Sequence, residues 1–202
     1  MGRAFAELAF SPAVRALQTR LGSRAAYARL DAAPERHDAL TPREAAFIER
    51  IDGFCQATVG EDGWPYVQFR GGPPGFLRVL DEKTIAYADR RGNRQYISAG
   101  NLQGNDRVAL ILIDHARRQR LKILGRARLL ETGIDAALLE RLSVPGDATP
   151  VERLVLVRVE AYDWNCPQHI TPRYTEAEIA AASAPLHEEI ARLKAALAAA
   201  TT

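Results

Sequence analysis

The stretch WPYVQFRGGPPGFLRVLDEKTIAYADRRGNR, residues 64–94, decides how the rest of the chain is interpreted. It contains a strand-like run, a bend rich in glycine and proline, a second strand and a turn with Arg90, Arg91 and Arg94. A helix is predicted to begin at Asn93. Free backbone N–H groups and the helix dipole both favour an anion at a helix N-terminus. The stretch therefore predicts an anion site at this turn.

The overall composition is that of a soluble globular protein. A chain of 202 residues with 47% apolar and 26% charged residues suits one domain with terminal helical additions. The net charge of +2 is too small to indicate nucleic-acid binding by itself. No apolar run approaches the roughly 20 residues of a membrane span, and charges interrupt the apolar N-terminus MGRAFAELAF. Neither a membrane helix nor a signal peptide is predicted.

The cysteines and histidines indicate a cytoplasmic protein that holds no metal. Cys55 and Cys166 lie far apart and form no CxxC pair, which is typical of the reducing cytosol. The four histidines are scattered without metal-ligand spacing, so no metal centre is expected.

Helix signals mark both ends of the chain. Helices are predicted for residues 12–21, after Ser11, and for residues 42–51, after the capping box that begins at Thr41. A short helix through Ala25, Tyr27 and Leu30 is predicted after Ser23. A second capping box at Thr175 begins a C-terminal helix in which Pro185 is expected to cause a kink or a break.

Between these helices the pattern changes to strands. The strands are predicted at 54–59, 64–70, 84–88, 107–113, 119–129 and 154–162, with a helix at 134–142. Strands in hairpin-like order with few long helices favour an antiparallel barrel over a doubly wound parallel sheet. The predicted fold class is mainly β (α+β). Residues 1–52 form an N-terminal helical segment, residues 53–174 the barrel and residues 175–202 a helical tail.

Three motifs outside the regular elements could bind a ligand, and each has a structural alternative. The bend FRGGPPGF, residues 69–76, lets a backbone approach a ligand closely or forms a plain turn. The arginines of residues 90–94 could form a solvated surface, but a second basic row, Arg120 and Lys122, lies on a nearby strand. The segment WNCPQHITPRY, residues 164–174, is dense in planar and cationic side chains that suit stacking and anion contact. Its aromatic residues could equally be core.

No catalytic triad or carboxylate pair is evident in the sequence. Glu160, Asp163 and Asp114 are single acids near strand ends. This pattern fits a protein that binds and orients a cofactor while the cofactor supplies the chemistry.

These motifs are where the sequence resembles the pyridoxamine 5′-phosphate oxidase-related FMN-binding proteins. The resemblance covers about residues 10–180 and is closest to the branch marked by a GNRQY-like turn and a terminal WNCPQHITPR signature. Here those are residues 92–96 and 164–173, together with GSR at 22–24 and SAGNL at 98–102. The resemblance implies a split β-barrel, FMN as cofactor, a homodimer with FMN at the interface, and oxidoreductase activity on a small organic substrate.

The resemblance also implies which residues contact the cofactor. Arg94 matches the position that grips the FMN phosphate, with Asn93 beside it. One strand would lie along the isoalloxazine ring and ribityl chain, through Val67, Gln68, Phe69 and Arg70.

Further residues are implied on a second strand and in the terminal signature. Arg120 and Lys122 occupy the strand that faces the flavin, with Lys122 assisting at the phosphate. Trp164 and Arg173 would close the site across the dimer. His169 would border the substrate space and is the one candidate catalytic residue.

The sequence departs from the true oxidase, and other functions stay open. Gln95 follows Arg94 where the oxidase has a basic pair, and the oxidase's substrate-phosphate residues are not recognisable, so pyridoxamine phosphate oxidation is not predicted. One alternative is a flavin carrier or sensor without turnover, and another is a deazaflavin or haem in place of FMN. A third is a single-stranded nucleic-acid binder, against which the loop positions of the aromatic residues argue.

The tail carries a short apolar seam. Leu186, Ile190, Leu193 and Leu197 are spaced by four, three and four residues. The seam could pack on the chain's own barrel or contribute to a dimer interface.

Overall fold

The computed structural model of the chain describes residues 2–131, 133, 135–144, 146, 148–164 and 168–200. The chain divides into two compact units. The first comprises Met1–Asp114 and Gln119–Pro167, and the second comprises His115–Arg118 and Gln168–Thr202.

The first unit contains all of the strands described, six α-helices and a 3₁₀ helix at Arg29–Ala32. The strands are β1 (Gly53–Val59), β2 (Pro65–Gly71), β3 (Leu77–Asp81), β4 (Thr84–Arg90), β5 (Arg107–Asp114), β6 (Gln119–Glu131) and β7 (Val151–Trp164). The helices are α1 (Arg3–Ala9), α2 (Pro12–Arg20), α3 (Arg24–Ala28), α4 (Pro42–Arg50), α5 (Ile97–Gly104) and α6 (Ala136–Leu142). The second unit carries α7 (Glu176–Ala200), in which Pro185 lies inside the helix.

The strands form one antiparallel sheet in the order β2-β1-β5-β6-β7-β4-β3. This confirms the predicted α+β class with an antiparallel sheet and flanking helices. The structure adds β3 and α1, which were not predicted. Most strands bury alternate residues, as a sheet with one covered face requires.

The helix predicted to begin at Asn93 begins at Ile97 instead. Arg94 and Tyr96 have positive φ values of 60° and 54°, which a right-handed helix cannot accommodate. The residues before Ile97 therefore form a turn, and Tyr96 is the N-cap of α5.

The sheet curls until strands that are far apart in the ladder touch through their side chains. Three strands separate β1 from β4, yet the ring centroids of Phe54 on β1 and Tyr87 on β4 lie 5.4 Å apart. The Tyr87 hydroxyl also donates a hydrogen bond to Oε1 of Gln56, at 2.8 Å. Both Phe54 and Tyr87 belong to the main hydrophobic cluster. The inner face of the curled sheet is therefore the core of the first unit.

Helix α4 covers this core through a capping network that reaches the end of β7. Oε2 of Glu44 accepts hydrogen bonds from the backbone N–H and the hydroxyl of Thr41, and closes the predicted capping box. Oε1 of the same carboxylate accepts from the indole N–H of Trp164, at 2.6 Å. The indole packs edge-on against Phe47, with ring centroids 4.7 Å apart. Glu44 is 2% exposed, so this carboxylate joins a helix start to a strand end inside the protein.

No helix in the described part of the chain is long and apolar enough to span a membrane.

Replacing Glu44 with alanine should destabilise the fold in a pH-dependent manner. Loss of the cap and of a charged acceptor for the buried indole should lower the free energy of unfolding by about 2–4 kcal/mol. Burial alone would raise the pKa of Glu44, but hydrogen bonds from Thr41 and Trp164 hold it below its ordinary value of 4.5. A depressed pKa stabilises the fold above the unfolded value, and this contribution disappears as pH falls through the folded value.

Urea unfolding monitored by far-ultraviolet circular dichroism, repeated between pH 7 and pH 3, measures this effect. Glu44→Gln is the control, because an amide oxygen still accepts from the indole at similar volume. A Glu44→Gln protein as stable as the unmodified chain at pH 7 would show that the charge contributes nothing beyond the shape and the acceptor oxygen of the side chain.

Candidate functional site

A cleft of about 180 Å³ opens in the first unit, between β2, the end of β4, the turn after it, the start of α5 and the start of β7. Four arginines and two carboxylates line it. The six charged residues are Arg70, Asp89, Arg90, Arg94, Glu152 and Arg153. The excess of positive charge makes the cleft suited to an anionic ligand.

Strand β2 sends alternate side chains into the cleft. Gln68 and Arg70 line it, and through the strand register they share the inner face of the sheet with Gln56 and Phe54. Val67 and Phe69 point to the outer face and are 61% and 68% exposed. Because side chains alternate along a strand, four consecutive residues of β2 cannot all face one ligand from one side.

The floor of the cleft is an ion cluster centred on Asp89. Its carboxylate pairs with Arg70 of β2 through one oxygen and with Arg153 of β7 through the other, the latter at 2.8 Å. Asp89 is 6% exposed, so these charges compensate one another largely out of water. The Arg70 guanidinium also lies 5.5 Å from the ring centroid of Tyr87, whose pKa burial raises well above its ordinary value.

The turn before α5 carries Arg94 at the rim of the cleft. Nε of Arg94 donates a hydrogen bond to the hydroxyl of Tyr96 at 3.0 Å, and that hydroxyl lies 3.2 Å from Oε1 of Glu152. The hydrogen bond to Tyr96 raises the pKa of Arg94 above its already high value, so Arg94 stays cationic. The Arg153 guanidinium lies 5.0 Å from the Tyr96 ring centroid. Tyr96 thus connects Arg94 at the rim to Arg153 at the floor of the cleft.

Helix α5 begins at the cleft without a side-chain cap. Its N-cap, Tyr96, makes no capping hydrogen bond, and the first residues Ile97, Ser98 and Ala99 all line the cleft. The hydroxyl of Ser98 donates to Oε1 of Gln68, at 2.9 Å, and ties the helix to β2. An N-terminus of this kind presents backbone N–H donors to a ligand.

Two buried side-chain donors at this end of the core have no hydrogen-bond partner among the described residues. They are Nε of Arg70 and Nε2 of Gln56. Buried donors without a partner are rare, because each costs roughly 1–3 kcal/mol of desolvation. Arg70 lines the cleft, so its spare donor fits a ligand that supplies acceptor atoms.

A second cavity of about 200 Å³ continues from the first past Arg70 and Arg90. Its lining is more apolar and includes Phe76, Leu142 and Val144. The glycine-rich bend forms one wall, where a Cβ on Gly72 would lie 2.7 Å from Cγ of Phe76. The two cavities together form an elongated space, cationic at one end and apolar at the other.

The structure brings together part of the predicted site. Gln68, Arg70, Asn93 and Arg94 line the first cavity, and Phe69 borders the second. Their assignment to a cofactor stays a prediction.

Other predicted residues of the first unit lie outside the two cavities. Lys122 is in register with Ile111, Cys55 and Phe69, which puts it on the outer face with Val67. Arg120, two residues earlier on β6, lies on the same face.

The residues of the terminal signature are divided between the two units. Trp164 donates to Glu44 and stacks under the Arg43 guanidinium, 4.6 Å from its ring, as part of the core of the first unit. His169 and Arg173 belong to the second unit. Cys166 lies outside the described residues. Their predicted roles stay predictions.

Several lining residues of the cleft, among them Asp89, Glu152 and Arg153, belong to none of the predicted motifs. Tyr96 and Ser98 lie within the motifs at residues 92–96 and 98–102 but were not predicted to line a site. Asp89 and Arg153 become partners because β4 and β7 pair in a register that places them opposite each other. That pairing, which joins residues far apart in sequence, is the signal that would have identified them.

Comparison with protein families gives a match over most of the first unit. The model of the family described as pyridoxamine 5′-phosphate oxidase matches residues 40–161. No curated protein matches the chain.

Several solved structures resemble the chain at low sequence identity. A putative pyridoxamine 5′-phosphate oxidase from Lactobacillus delbrueckii is 22% identical, with a TM-score of 0.48, over 62% of this chain and 94% of that one. HupZ from Group A Streptococcus is 19% identical, with a TM-score of 0.49, over 67% and 99%. An FMN-binding protein from Syntrophomonas wolfei is 12% identical, with a TM-score of 0.46, over 76% and 95%.

Replacing Asp89 with asparagine should strongly destabilise the first unit. The substitution leaves two inward guanidinium groups without their shared carboxylate, so the free energy of unfolding should fall by about 3–5 kcal/mol. Asp106→Asn is the matched control, because Asp106 pairs with Arg126 at 2.8 Å where both side chains are 48% exposed. The control should cost about 1 kcal/mol or less. Similar costs for both variants in denaturant unfolding would contradict the assigned role of Asp89.

Proposed function

This chain belongs to the pyridoxamine 5′-phosphate oxidase family, and on that premise we propose that it is a flavoprotein that binds flavin mononucleotide in the cleft beside α5. We further propose that it is an oxidoreductase acting on a small organic substrate. The observation that carries the proposal is the position of Arg94 and Arg70 beside the uncapped start of α5.

The cationic end of the cleft suits the phosphate. Arg94 is held cationic at the rim, and the first backbone N–H groups of α5 offer hydrogen bonds that need no ionisation. Nε of Arg70 supplies a further donor that no described residue satisfies. A phosphate dianion would compensate the excess of arginines over carboxylates in the lining.

The apolar end suits an aromatic ring system. The second cavity offers the backbone of the glycine-rich bend, the ring of Phe76 and two aliphatic side chains. Gln68 lines both cavities and presents an amide that can hydrogen-bond a polar ring edge or ribityl hydroxyls. Rigid placement of Gln68 follows from its hydrogen bond with Ser98.

Bound flavin would supply the hydride chemistry. The described residues would bind it, hold its phosphate and shield its ring from water. The two carboxylates in the lining are engaged: Asp89 by two arginines, and Glu152 by Arg91, Arg153 and Tyr96. Neither is positioned as a free proton acceptor.

This engagement of the carboxylates supports a second candidate function, a flavin carrier or sensor without turnover. Steady-state oxidation of reduced nicotinamide with an added electron acceptor separates the two functions. Turnover faster than that of free flavin supports the oxidoreductase.

We also propose that two copies associate through the outer face of β2, β1 and β5. Val67 and Phe69 present large apolar side chains there, and the ring of Phe69 lies against Gly53 and Gly71, where any Cβ would collide with it. An exposed apolar patch on a sheet face is typical of an interface. Such a dimer would allow residues of one copy to reach the flavin of the other, as the resemblance implies.

Phe69→Lys should convert a dimer into monomers, because a desolvated lysine replaces an apolar contact. Sedimentation velocity at micromolar concentration measures the change. Leu8→Lys, at a 56% exposed position on α1, is the control and should stay dimeric. A Phe69→Lys dimer that dissociates at the same protein concentration as the dimer of the unmodified chain would exclude this face.

The cofactor proposal is tested first by the visible absorption spectrum of the purified protein. We expect the two absorption bands of a flavin, with FMN released on heating. A colourless protein that also fails to bind added FMN would overturn the proposal.

Arg94→Ala should then weaken FMN binding by about 1.5–3 kcal/mol, the range for a lost hydrogen bond to a charged group. Titration monitored by flavin fluorescence measures the affinity. Arg91→Ala is the matched control, since Arg91 belongs to the same turn, pairs with Glu152 and is 57% exposed outside the cleft lining. If both variants lost the same FMN affinity, the loss would reflect only the change in net charge, and Arg94 would not be assigned to the phosphate site.

A further inference from the structure

Helix α7 carries a heptad pattern in which Ser183 is the one polar residue at the seam. Positions separated alternately by four and three residues can be labelled a and d. The d positions are Ile179, Leu186, Leu193 and Ala200, and the a positions are Ser183, Ile190 and Leu197. Such a pattern places these side chains along one stripe of a supercoiling helix.

The stripe is exposed to solvent. No residue of α7 is buried, and its large apolar residues Ile179, Leu186, Ile190 and Leu193 are 48–66% exposed. A row of large aliphatic side chains on a 25-residue helix is a typical surface for pairing with another helix.

We propose that α7 pairs with α7 of a second copy of this chain as a parallel two-stranded coiled coil. The residue types at the seam favour this partner. Ile190 is β-branched at an a position, between Leu186 and Leu193 at d positions. Isoleucine at a with leucine at d favours two parallel strands over higher assemblies.

The charges beside the seam favour the same partner and direction. Glu189 occupies a g position and Lys194 the e position of the next heptad. In a parallel pair in register, g of one helix faces that e position of its partner, so two Glu189–Lys194 pairs form across the seam. An antiparallel pair places g against g and e against e, so it cannot form the Glu189–Lys194 pairs.

Two local features of α7 are compatible with this pairing. Pro185 and Arg192 both occupy c positions, away from the seam. Arg192 pairs with Glu189 of the same helix, 2.5 Å from its carboxylate, and leaves the a and d positions clear. The longest aliphatic stretch of the seam follows Pro185.

A seam of this length is marginal alone, so its pairing would gain from any second contact between the copies. The sheet interface proposed above would raise the local concentration of the two helices to the millimolar range. Flavin binding is not required for the helices to pair.

Cysteine cross-linking of the full chain tests the pairing. In a Cys55→Ser/Cys166→Ser background, Leu193→Cys places two thiols at one d layer of a parallel pair. Ala195→Cys, at an outward f position two residues away, is the control. With oxidised glutathione, Leu193→Cys should form the covalent dimer about tenfold or more faster than the control, because disulfide geometry requires close Cβ atoms. Equal rates would overturn the proposal.

A charge variant tests the direction of pairing. Lys194→Glu sets like charges across the seam and should slow cross-linking at Leu193→Cys, whereas Ala195→Glu, with the same charge at an f position, should not. Equal effects of the two would overturn the parallel register.

The same cross-link separates helix pairing from the sheet interface. A chain that sediments as a dimer but does not cross-link at Leu193→Cys overturns the helix pairing and leaves the sheet interface intact. A Phe69→Lys chain that still cross-links at this position supports helix pairing without that interface.

Discussion

The curled sheet depends on the carboxylate of Asp89, which two arginines from other strands share. β2 lies at one edge of the ladder, while β4 and β7 lie at the opposite side, so backbone hydrogen bonds do not join β2 to them. Arg70 and Arg153 make that connection through Asp89, and the Gln56–Tyr87 hydrogen bond joins the neighbouring strand β1 to β4 nearby. Removing either arginine would leave the largely buried Asp89 charge poorly compensated, which is energetically costly. The ion cluster therefore fixes the distance between the strands that form the cleft.

The geometry of the cleft follows from that closure. Once β2 is held against β4, alternate residues of β2 face the start of α5, and Ser98 can reach Gln68. Arg94 and Tyr96 adopt left-handed backbone conformations, which are costly for residues with a Cβ and are sustained by the contacts of their side chains with each other and with Glu152. These contacts hold the site in place without a ligand, so binding a ligand loses less conformational entropy.

Local signals predicted the parts of the fold that depend on neighbouring residues. The capping box at Thr41 placed α4, and the apolar run of β5 and the alternation of β6 placed the centre of the sheet. The turn at Arg94 was misjudged, because a left-handed arginine or tyrosine leaves no mark in the sequence as a glycine would. Asp89 and Arg153 could not be paired without the register of β4 and β7, which is set by the whole sheet. Val67 was predicted to lie along the flavin because of the resemblance, and strand alternation puts its side chain on the outer face of the sheet.

The hydrogen bond from Trp164 to Glu44 spans 120 residues of sequence, and this separation has a consequence for synthesis on the ribosome. The start of α4 emerges early, but the indole that satisfies its buried carboxylate is translated last among the strands. At 5–20 residues per second the delay is roughly 6–24 s. During that interval the Glu44 carboxylate lacks its indole donor, and the ring of Phe47 lacks its edge contact with Trp164. The nascent chain therefore carries an unfinished core through most of its translation, and the first unit becomes stable as a whole when β7 has left the exit tunnel.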